Sequence, residues 1–372
     1  MDRSLPDVSS PIPMGSIPGV SIVIPARNEE ASLGACLESL TAQAGVTFEI
    51  VVVDDGSSDR TPEIARSFAG VRLISLPPDP PHGRWTGKNN ALVAGARQAR
   101  AEWLLFTDAD TVHNPGSLAR ALDEAKKERA DLLSYSPAQA LVSFSERAVM
   151  PVVFAELAAQ YPPRKVRDEK SNVVAANGQY ILVRRAPYDA VGGHAAVATE
   201  ILEDVALARL FCNAARRVHF RYGGDAVRTR MYRSWPQLRE GWTKNLALLF
   251  PQPGFLAFQS LLLWFTAWAT LAIAVSGALS HRFFMIAFAA CWLLVVRRVR
   301  AAHFTTANSL IAIAAGLPLF AYLLLRSKHV HANGQVEWKG RAYDVSVGRM
   351  AAPDAAVKRA PGMEGQGLKT GN

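Results

Sequence analysis

The run Trp103-Leu-Leu-Phe-Thr107 is short, apolar and bounded by polar residues, which is the pattern of a buried β-strand. It leads straight into Asp108-Ala-Asp110, so the fold must carry two carboxylates just beyond the end of a core strand. In a parallel α/β sheet that position faces the ligand crevice. Side chains alternate along a strand but not through the turn after it, so Asp108 and Asp110 can converge on one point. Two hard oxygen donors there suit Mg²⁺ or Mn²⁺ together with phosphate oxygens. An isolated Asp-x-Asp more often only caps a turn, so the rest of the chain has to decide.

The surrounding pattern alternates strand and helix. Residues 20–24 read as a strand closed by Pro25, and Ala26-Arg-Asn28-Glu29-Glu30 as a helix start with Asn28 as cap. Leu33, Cys36, Leu37 and Leu40 follow at helical spacing. A second strand, 48–53, runs into Asp54-Asp55-Gly-Ser-Ser-Asp59, and Thr61-Pro62-Glu63 opens the next helix. A third strand spans 71–76. After a loop rich in Pro and Gly (77–87), Lys88-Asn-Asn-Ala91 opens a helix to about residue 101. Beyond the Asp-x-Asp strand come a helix at 117–128, a strand at 131–135 and an apolar helical stretch at 142–161. Residues 173–183 read as strand, turn, strand, and Glu203-Asp204 leads into a helix through Val205, Leu207, Leu210 and Phe211. This alternation predicts a doubly wound, mostly parallel sheet, with Asp54-Asp55 and Asp108/Asp110 at the carboxyl ends of its strands.

The second half is different. The chain is 49% hydrophobic and only 20% charged, and much of the apolar excess lies between residues 255 and 326. Residues 255–276 are free of formal charge over about the 20 residues a spanning helix needs, and 308–325 are similar. The segment 283–296 is shorter, and spans with its flanks or re-enters. Two or three membrane passes are expected. Arg297-Arg298-Val-Arg300 belongs on the inner side, yet Arg326-Ser-Lys328 is also basic, and a re-entrant second segment reconciles the two. Residues 1–18 read as a loose leader, 19–240 as the catalytic domain, 241–330 as interfacial and transmembrane helices, and 331–372 as a tail that is disordered after 350. The cell (inner) membrane, with the catalytic domain in the cytoplasm, is the expected location. Three cysteines far apart, with no Cys-x-x-Cys, argue against a disulfide framework or a zinc site. A net charge of +9 calls for an anionic partner. Diphosphate and anionic lipid fit better than nucleic acid, since the basic residues are not interleaved with aromatics on one module.

Three acidic stations, Asp54/Asp55, Asp108/Asp110 and Glu203/Asp204, thus stand in one α/β unit. Sugar transfer from a nucleotide diphosphate needs each for its own reason. A carboxylate after the second strand accepts a base N–H. The Asp-x-Asp pair holds a cation that offsets charge on the leaving diphosphate. A third carboxylate takes the proton of the attacking hydroxyl. Lys88, after its Gly-rich loop, adds positive charge for the phosphates.

Ser21-Ile-Val-Ile-Pro-Ala-Arg-Asn-Glu29, Val53-Asp-Asp-Gly-Ser-Ser-Asp59, Thr107-Asp-Ala-Asp110 and Glu203-Asp204, in this order, resemble a family 2 glycosyltransferase with the GT-A fold, a Rossmann-like α/β architecture. The resemblance covers roughly residues 20–250. It implies an inverting, single-displacement transfer from a nucleotide sugar, usually a UDP-sugar, with Mg²⁺ or Mn²⁺. It further implies nucleotide-sugar contacts from Pro25, Glu29 (near the ribose), Asp54, Asp55, Lys88 and Asp108, a metal at Asp108 and Asp110, and Asp204 as base supported by Glu203. Ala176-Asn-Gly-Gln-Tyr180, Gly192-Gly-His194, Thr229-Arg-Met-Tyr-Arg233 and Gly241-Trp-Thr-Lys-Asn245 are similar to membrane-attached, carotenoid-glycosylating enzymes and, less closely, to hopanoid-associated ones. Asn177, Gly178 and Glu203 are then expected on the acceptor side. Arg230-Met-Tyr-Arg233-Ser-Trp235 resembles the Q/R-x-x-R-W motif of processive and ceramide-type relatives, with one extra residue before the Trp, which implies Arg230 and Arg233 at the diphosphate and Trp235 on the acceptor side. The expected acceptor is lipid-like, such as a carotenoid or other isoprenoid. A polyprenyl-phosphate transferase and a catalytically silent sugar-nucleotide-binding membrane subunit are the alternatives.

Overall fold

The computed structural model describes residues 17–77, 85–168, 171–277, 281–338 and 341–344, with backbone alone from 335 onward. Most of the leader and everything beyond 344 lie outside them. The expected alternation is present as β1 (Val20–Ala26), α1 (Leu33–Thr41), β2 (Phe48–Asp54), α2 (Thr61–Ser67), β3 (Val71–Ser75), α3 (Gly87–Gln98) and β4 (Trp103–Phe106). Then follow β5 (Thr111–His113), α4 (Ser117–Lys127), β6 (Leu132–Ser136), β7 (Ala138–Gln139), α5 (Phe144–Gln160) and α6 (Pro163–Val166). Next come β8 (Ile181–Arg184), α7 (Arg185–Ala190), a 3₁₀ turn (Gly193–Val197), α8 (Glu203–Asn213), β9 (Val218–Tyr222) and β10 (Val227–Thr229). The described residues end in α9 (Trp235–Leu249), α10 (Pro253–Ser276), α11 (His281–Ala301), α12 (Thr306–Ile311), a π-helical turn (Ala312–Gly316), α13 (Leu317–Ala332), β11 (Gln335–Trp338) and β12 (Arg341–Asp344).

Seven strands form the main sheet in the order β3-β2-β1-β4-β8-β6-β9, and β8 alone runs antiparallel to its neighbours. The fold is therefore α/β and GT-A-like, with a mostly parallel sheet. Both faces are covered, and the strand sequences say so: Val20, Ile22 and Ile24 feed one apolar cluster while Val23 feeds the other. Ile50 and Val52 likewise oppose Val51 and Val53, and Trp103 and Leu105 oppose Leu104 and Phe106. Such two-sided burial explains the continuous apolar runs, which alternation on a half-exposed strand would have broken. A small second sheet, β5-β10-β7, ties Thr111 to Thr229 beside the Asp-x-Asp turn.

A third apolar cluster joins α5 and α9 to the C-terminal helices. The π-helical turn lies so close to α5 that a Cβ on Gly316 would sit 2.2 Å from the Ala148 carbonyl oxygen. Ser327 of α13 donates to the Thr243 carbonyl of α9 at 2.6 Å, and Ala247 N donates back to Ser327 Oγ at 2.9 Å. Among the described residues two helical stretches are long and apolar enough to cross a membrane, Pro253–Ser276 and Thr306–Ala332. On the first, Phe255, Phe258, Leu262 and Phe265 are each more than half exposed, so its outer face has no protein cover. The expected segment 283–296 lies within α11, whose last turns carry Arg297, Arg298 and Arg300.

Two local expectations are corrected. Asn28 does not cap α1: its φ is 53°, and the helix starts only at Leu33. The 27–32 loop instead folds over the β2 turn, with Ser58 N donating to Asn28 Oδ1 at 2.9 Å and Glu29 N to Thr61 Oγ1 at 2.8 Å. Residues 173–177 are not a strand, because the only strand of that stretch is β8 and its neighbours on both sides are already paired.

Candidate active site

β1, β2, β4, β6 and β9 all present their carboxyl ends at one edge of the sheet, and antiparallel β8 begins there. A cavity of about 970 Å³ runs along this edge. Pro25 near the end of β1, Glu29 after it, Asp55 after β2, and Asp108 and Asp110 after β4 all line it. So do Lys88, Asn177, Gly178, Glu203 and Asp204, which the sequence leaves 20 to 94 residues from the Asp-x-Asp turn.

The centre is a tight ionic cluster. Lys88 Nζ lies 2.9 Å from Asp108 Oδ1 and 2.7 Å from Glu203 Oε1. Burial pulls the Lys88 ammonium down, but the two carboxylates outweigh it and hold the group well above the ordinary lysine range. Glu203 is 7% exposed; burial alone favours its neutral form, and Lys88 reverses that, so the carboxyl ends below its usual value. Asp204 beside it is pushed up to about 6, first by burial and then by the Glu203 charge, against the pull of Lys88 and two backbone amides. Those amides are Gly178 N on Oδ2 and Val205 N on Oδ1, each at 2.8 Å. Gly178 allows the cluster to close, since a Cβ there would meet Lys88 Nζ at 3.1 Å and Glu203 Oε1 at 3.2 Å.

The scaffold beneath was not legible from the motifs. Thr107 Oγ1 donates to the Gln179 carbonyl at 2.8 Å and Thr111 Oγ1 to the Asp108 carbonyl at 2.8 Å. Both hydroxyls contact Nε2 of buried His113, whose desolvation pulls its pKa down to about 3 and keeps it neutral. Fully buried Asn89 donates from Nδ2 to the carbonyls of Val197, Ala198 and Glu200, which fixes the approach to Glu203 from the start of α3. Lys244 of α9 also lines the cavity, with its ammonium pulled down by burial. Its motif was noted in the sequence, but nothing there assigned the lysine a role.

The remaining expected residues sort by position. Asp54 closes its own turn, accepting from Ser57 N at 3.2 Å, while Asp55 lies 3.8 Å from Arg27. Arg230 lines the cavity with its guanidinium engaged by Glu146, at 3.0 Å from Nε to Oε1 and 3.3 Å from Nη2 to Oε2. Arg233 reaches across to the Ala31 carbonyl at 2.9 Å and so pins the 27–32 loop. Trp235 stacks on Tyr322 of α13, with ring centroids 6.4 Å apart, and is absent from the described cavity lining. Among the described residues no three His, Cys, Asp or Glu side chains gather as a metal-holding group. The donor set at the Asp-x-Asp turn is two carboxylates. That fits Mg²⁺ or Mn²⁺, ions commonly held by one or two carboxylates with phosphate oxygens and water completing the shell.

An α/β sheet with carboxylates at its switch edge and a buried acid–lysine cluster defines a class, and sequence comparison names it. Residues 21–192 match the model of glycosyl transferase family 2, so the chain carries a glycosyltransferase family 2 domain and is an enzyme of the glycosyltransferase class. The chain is similar to the 4,4'-diaponeurosporenoate glycosyltransferase of Staphylococcus aureus strain USA300, 27% identical over 346 residues and 88% of each chain. The protein of the same name from strain MRSA252 is 28% identical over 341 residues, again 88% of each. Among solved structures, the mannosyltransferase PcManGT from Pyrobaculum calidifontis, in complex with GDP-Man and Mn²⁺, aligns over 86% of this chain and 88% of that one, at 15% identity and a TM-score of 0.46. S. aureus TarS 1-349 in complex with UDP-GlcNAc aligns over 87% and 95%, at 15% identity and a TM-score of 0.43.

Proposed function

We propose that the chain is a membrane-bound inverting hexosyltransferase that moves one sugar from a nucleotide sugar, a UDP-sugar by preference, to a lipid-like acceptor such as a carotenoid or other isoprenoid. The observation that carries this is the meeting of Asp108, Lys88, Glu203, Gly178 and Asp204 within one cavity that also holds Asp55. Residues 19–240 form the catalytic unit and 241–330 the interfacial and membrane-spanning part, in a multi-pass arrangement at the cell membrane. The names of the S. aureus relatives support a carotenoid acid or a chemically similar molecule as acceptor.

In this reading Asp55 accepts from the base N–H, while Asp54 shapes the turn and Pro25 and Glu29 border the ribose. Asp108 and Asp110 hold Mg²⁺ or Mn²⁺, which supplies positive charge for the departing diphosphate. Lys88 adds a second positive charge beside them and, through Glu203, keeps Asp204 in place. Asp204 takes the proton of the acceptor hydroxyl as its oxygen bonds to the anomeric carbon. The bond from that carbon to the diphosphate oxygen breaks on the opposite face, and the nucleoside diphosphate leaves with the electron pair. A base pushed up to about 6 is ionised at neutral pH yet basic enough to accept a proton. For an acceptor that is already a carboxylate, Asp204 orients the nucleophile instead. Arg230 and Arg233 flank the diphosphate side, and Asn177 and Gly178 the acceptor side.

The test is a panel of UDP-, GDP- and dTDP-sugars, radiolabelled in the sugar, incubated with membranes bearing the protein, native lipid extract and Mn²⁺. One donor is expected to label the lipid fraction, and Asp110→Asn to abolish that labelling. Donor binding without transfer to any lipid fraction would favour the silent-subunit reading.

A further inference from the structure

The cavity is longer than the donor site. From β2, which Asp55 follows, to β9 at the far edge there are five strand spacings, roughly 24 Å. The stretch from β2 to β4, where the nucleotide-sugar carboxylates stand, takes up only two of them. The remaining three spacings, roughly 14 Å, lie past β8 and β6. Gly178 and Asp204 sit where β8 begins, at the boundary between the two parts.

The far part changes character. Its walls are Phe154, Leu157 and Ala158 of α5, Phe220 and Tyr222 of β9, and Phe304 after α11. Phe220 and Tyr222 are two apart on one strand and therefore face the same way. Two contacts frame its outer end. His303 stacks on Tyr222 with centroids 3.7 Å apart and planes 5° from parallel, and Arg298 Nη1 meets Glu156 Oε1 at 2.6 Å. Beyond that end runs α11, on which Phe283, Ile286, Leu293 and Leu294 are each more than half exposed.

We propose that this apolar arm holds the hydrocarbon chain of the acceptor, which enters beside the Arg298–Phe304 segment and brings its head group to Asp204. The order along the sheet edge is donor carboxylates, base, apolar arm, which is the order a single displacement between a nucleotide sugar and a lipid requires. The assignment rests on the transferase reading for its head-group chemistry, but the arm's affinity for an apolar chain is measurable without any turnover.

The full chain in detergent is titrated with parinaric acid, a polyene carboxylic acid whose fluorescence rises in dry apolar surroundings. Ala158→Trp fills the arm from α5 and Ala302→Trp from the segment after α11, so the two substitutions reach the same space from elements far apart in sequence. Thermal unfolding checks that both variants fold, and calorimetry follows UDP-sugar binding with Mn²⁺. Wild type is expected to bind the probe saturably. Each variant should weaken it about tenfold or more, with donor affinity kept within about twofold. Probe binding that is equal in wild type and both variants overturns the arm and leaves the transferase reading standing. Weakened binding in both variants, with no sugar reaching any lipid fraction from wild type, upholds the arm as an apolar-chain site and removes the transferase reading.

Discussion

Glu203→Gln separates the two neighbouring acids. Asp204 rises from 3.8 to about 6, a shift of about two units that burial causes first and the Glu203 charge second. The variant leaves burial unchanged, deletes the adjacent negative charge and frees Lys88 to act on Asp204, so every change acts downward. A decrease on the order of one unit is expected, since one unit corresponds to about 1.4 kcal/mol between protonation states. The assay is kcat/KM for sugar transfer across about pH 5–8, because that ratio reports groups of the free enzyme. The sign follows from the base having to be ionised: activity falls as pH drops through the Asp204 value. At pH 5 wild type should keep about a tenth of its plateau and Glu203→Gln about half of its own, lower plateau. An acid limb at the same pH in both proteins, or one that moves upward, would refute Asp204 as the titrating base.

Arg230→Gln should destabilise the fold by about 3 kcal/mol, because Glu146, 3% exposed, then keeps a buried charge without its guanidinium. Glu146 lies below its ordinary value in the folded chain, so the pair stabilises at neutral pH and the deficit of the variant should shrink on acidification, as read from melting temperature against pH. Gly316→Ala should cost about 1–3 kcal/mol by forcing the π-helical turn off the Ala148 carbonyl, measured by thermal unfolding in detergent. Gly178→Ala should leave the melting temperature nearly unchanged but lower kcat about tenfold or more, since its methyl crowds Lys88 and Glu203 where the base must be aimed.

What the sequence disclosed was local. β1, β2, β4 and β6 are mainly apolar runs with most residues buried, β3 at the sheet edge is half-buried, and the acidic pairs Asp54-Asp55 and Asp108/Asp110 stand at the ends of β2 and β4. What it concealed depends on partners far along the chain. The β9 sequence Val-His-Phe-Arg-Tyr does not read as a core strand, because His219 and Arg221 both pair with Glu124, some 95 residues earlier. Arg230 lines the cavity, but nothing in the sequence shows that Glu146, 84 residues away, holds its guanidinium there. Asn28 looked like a helix cap because Asn is favoured there, and the same side chain equally suits the left-handed position it takes. The α11 helix looked short because its apolar run stops at Val296, while the backbone continues through three arginines.

Transfer of a labelled sugar from its nucleotide to the lipid fraction, compared in wild type, Asp204→Asn and Asp110→Asn, tests the central claim most directly. The account predicts strong labelling by wild type, loss in both variants, and a product whose anomeric configuration is opposite to that of the donor. Full activity in Asp204→Asn would contradict the assignment of the base, and a product that retains the donor's configuration would contradict single displacement altogether.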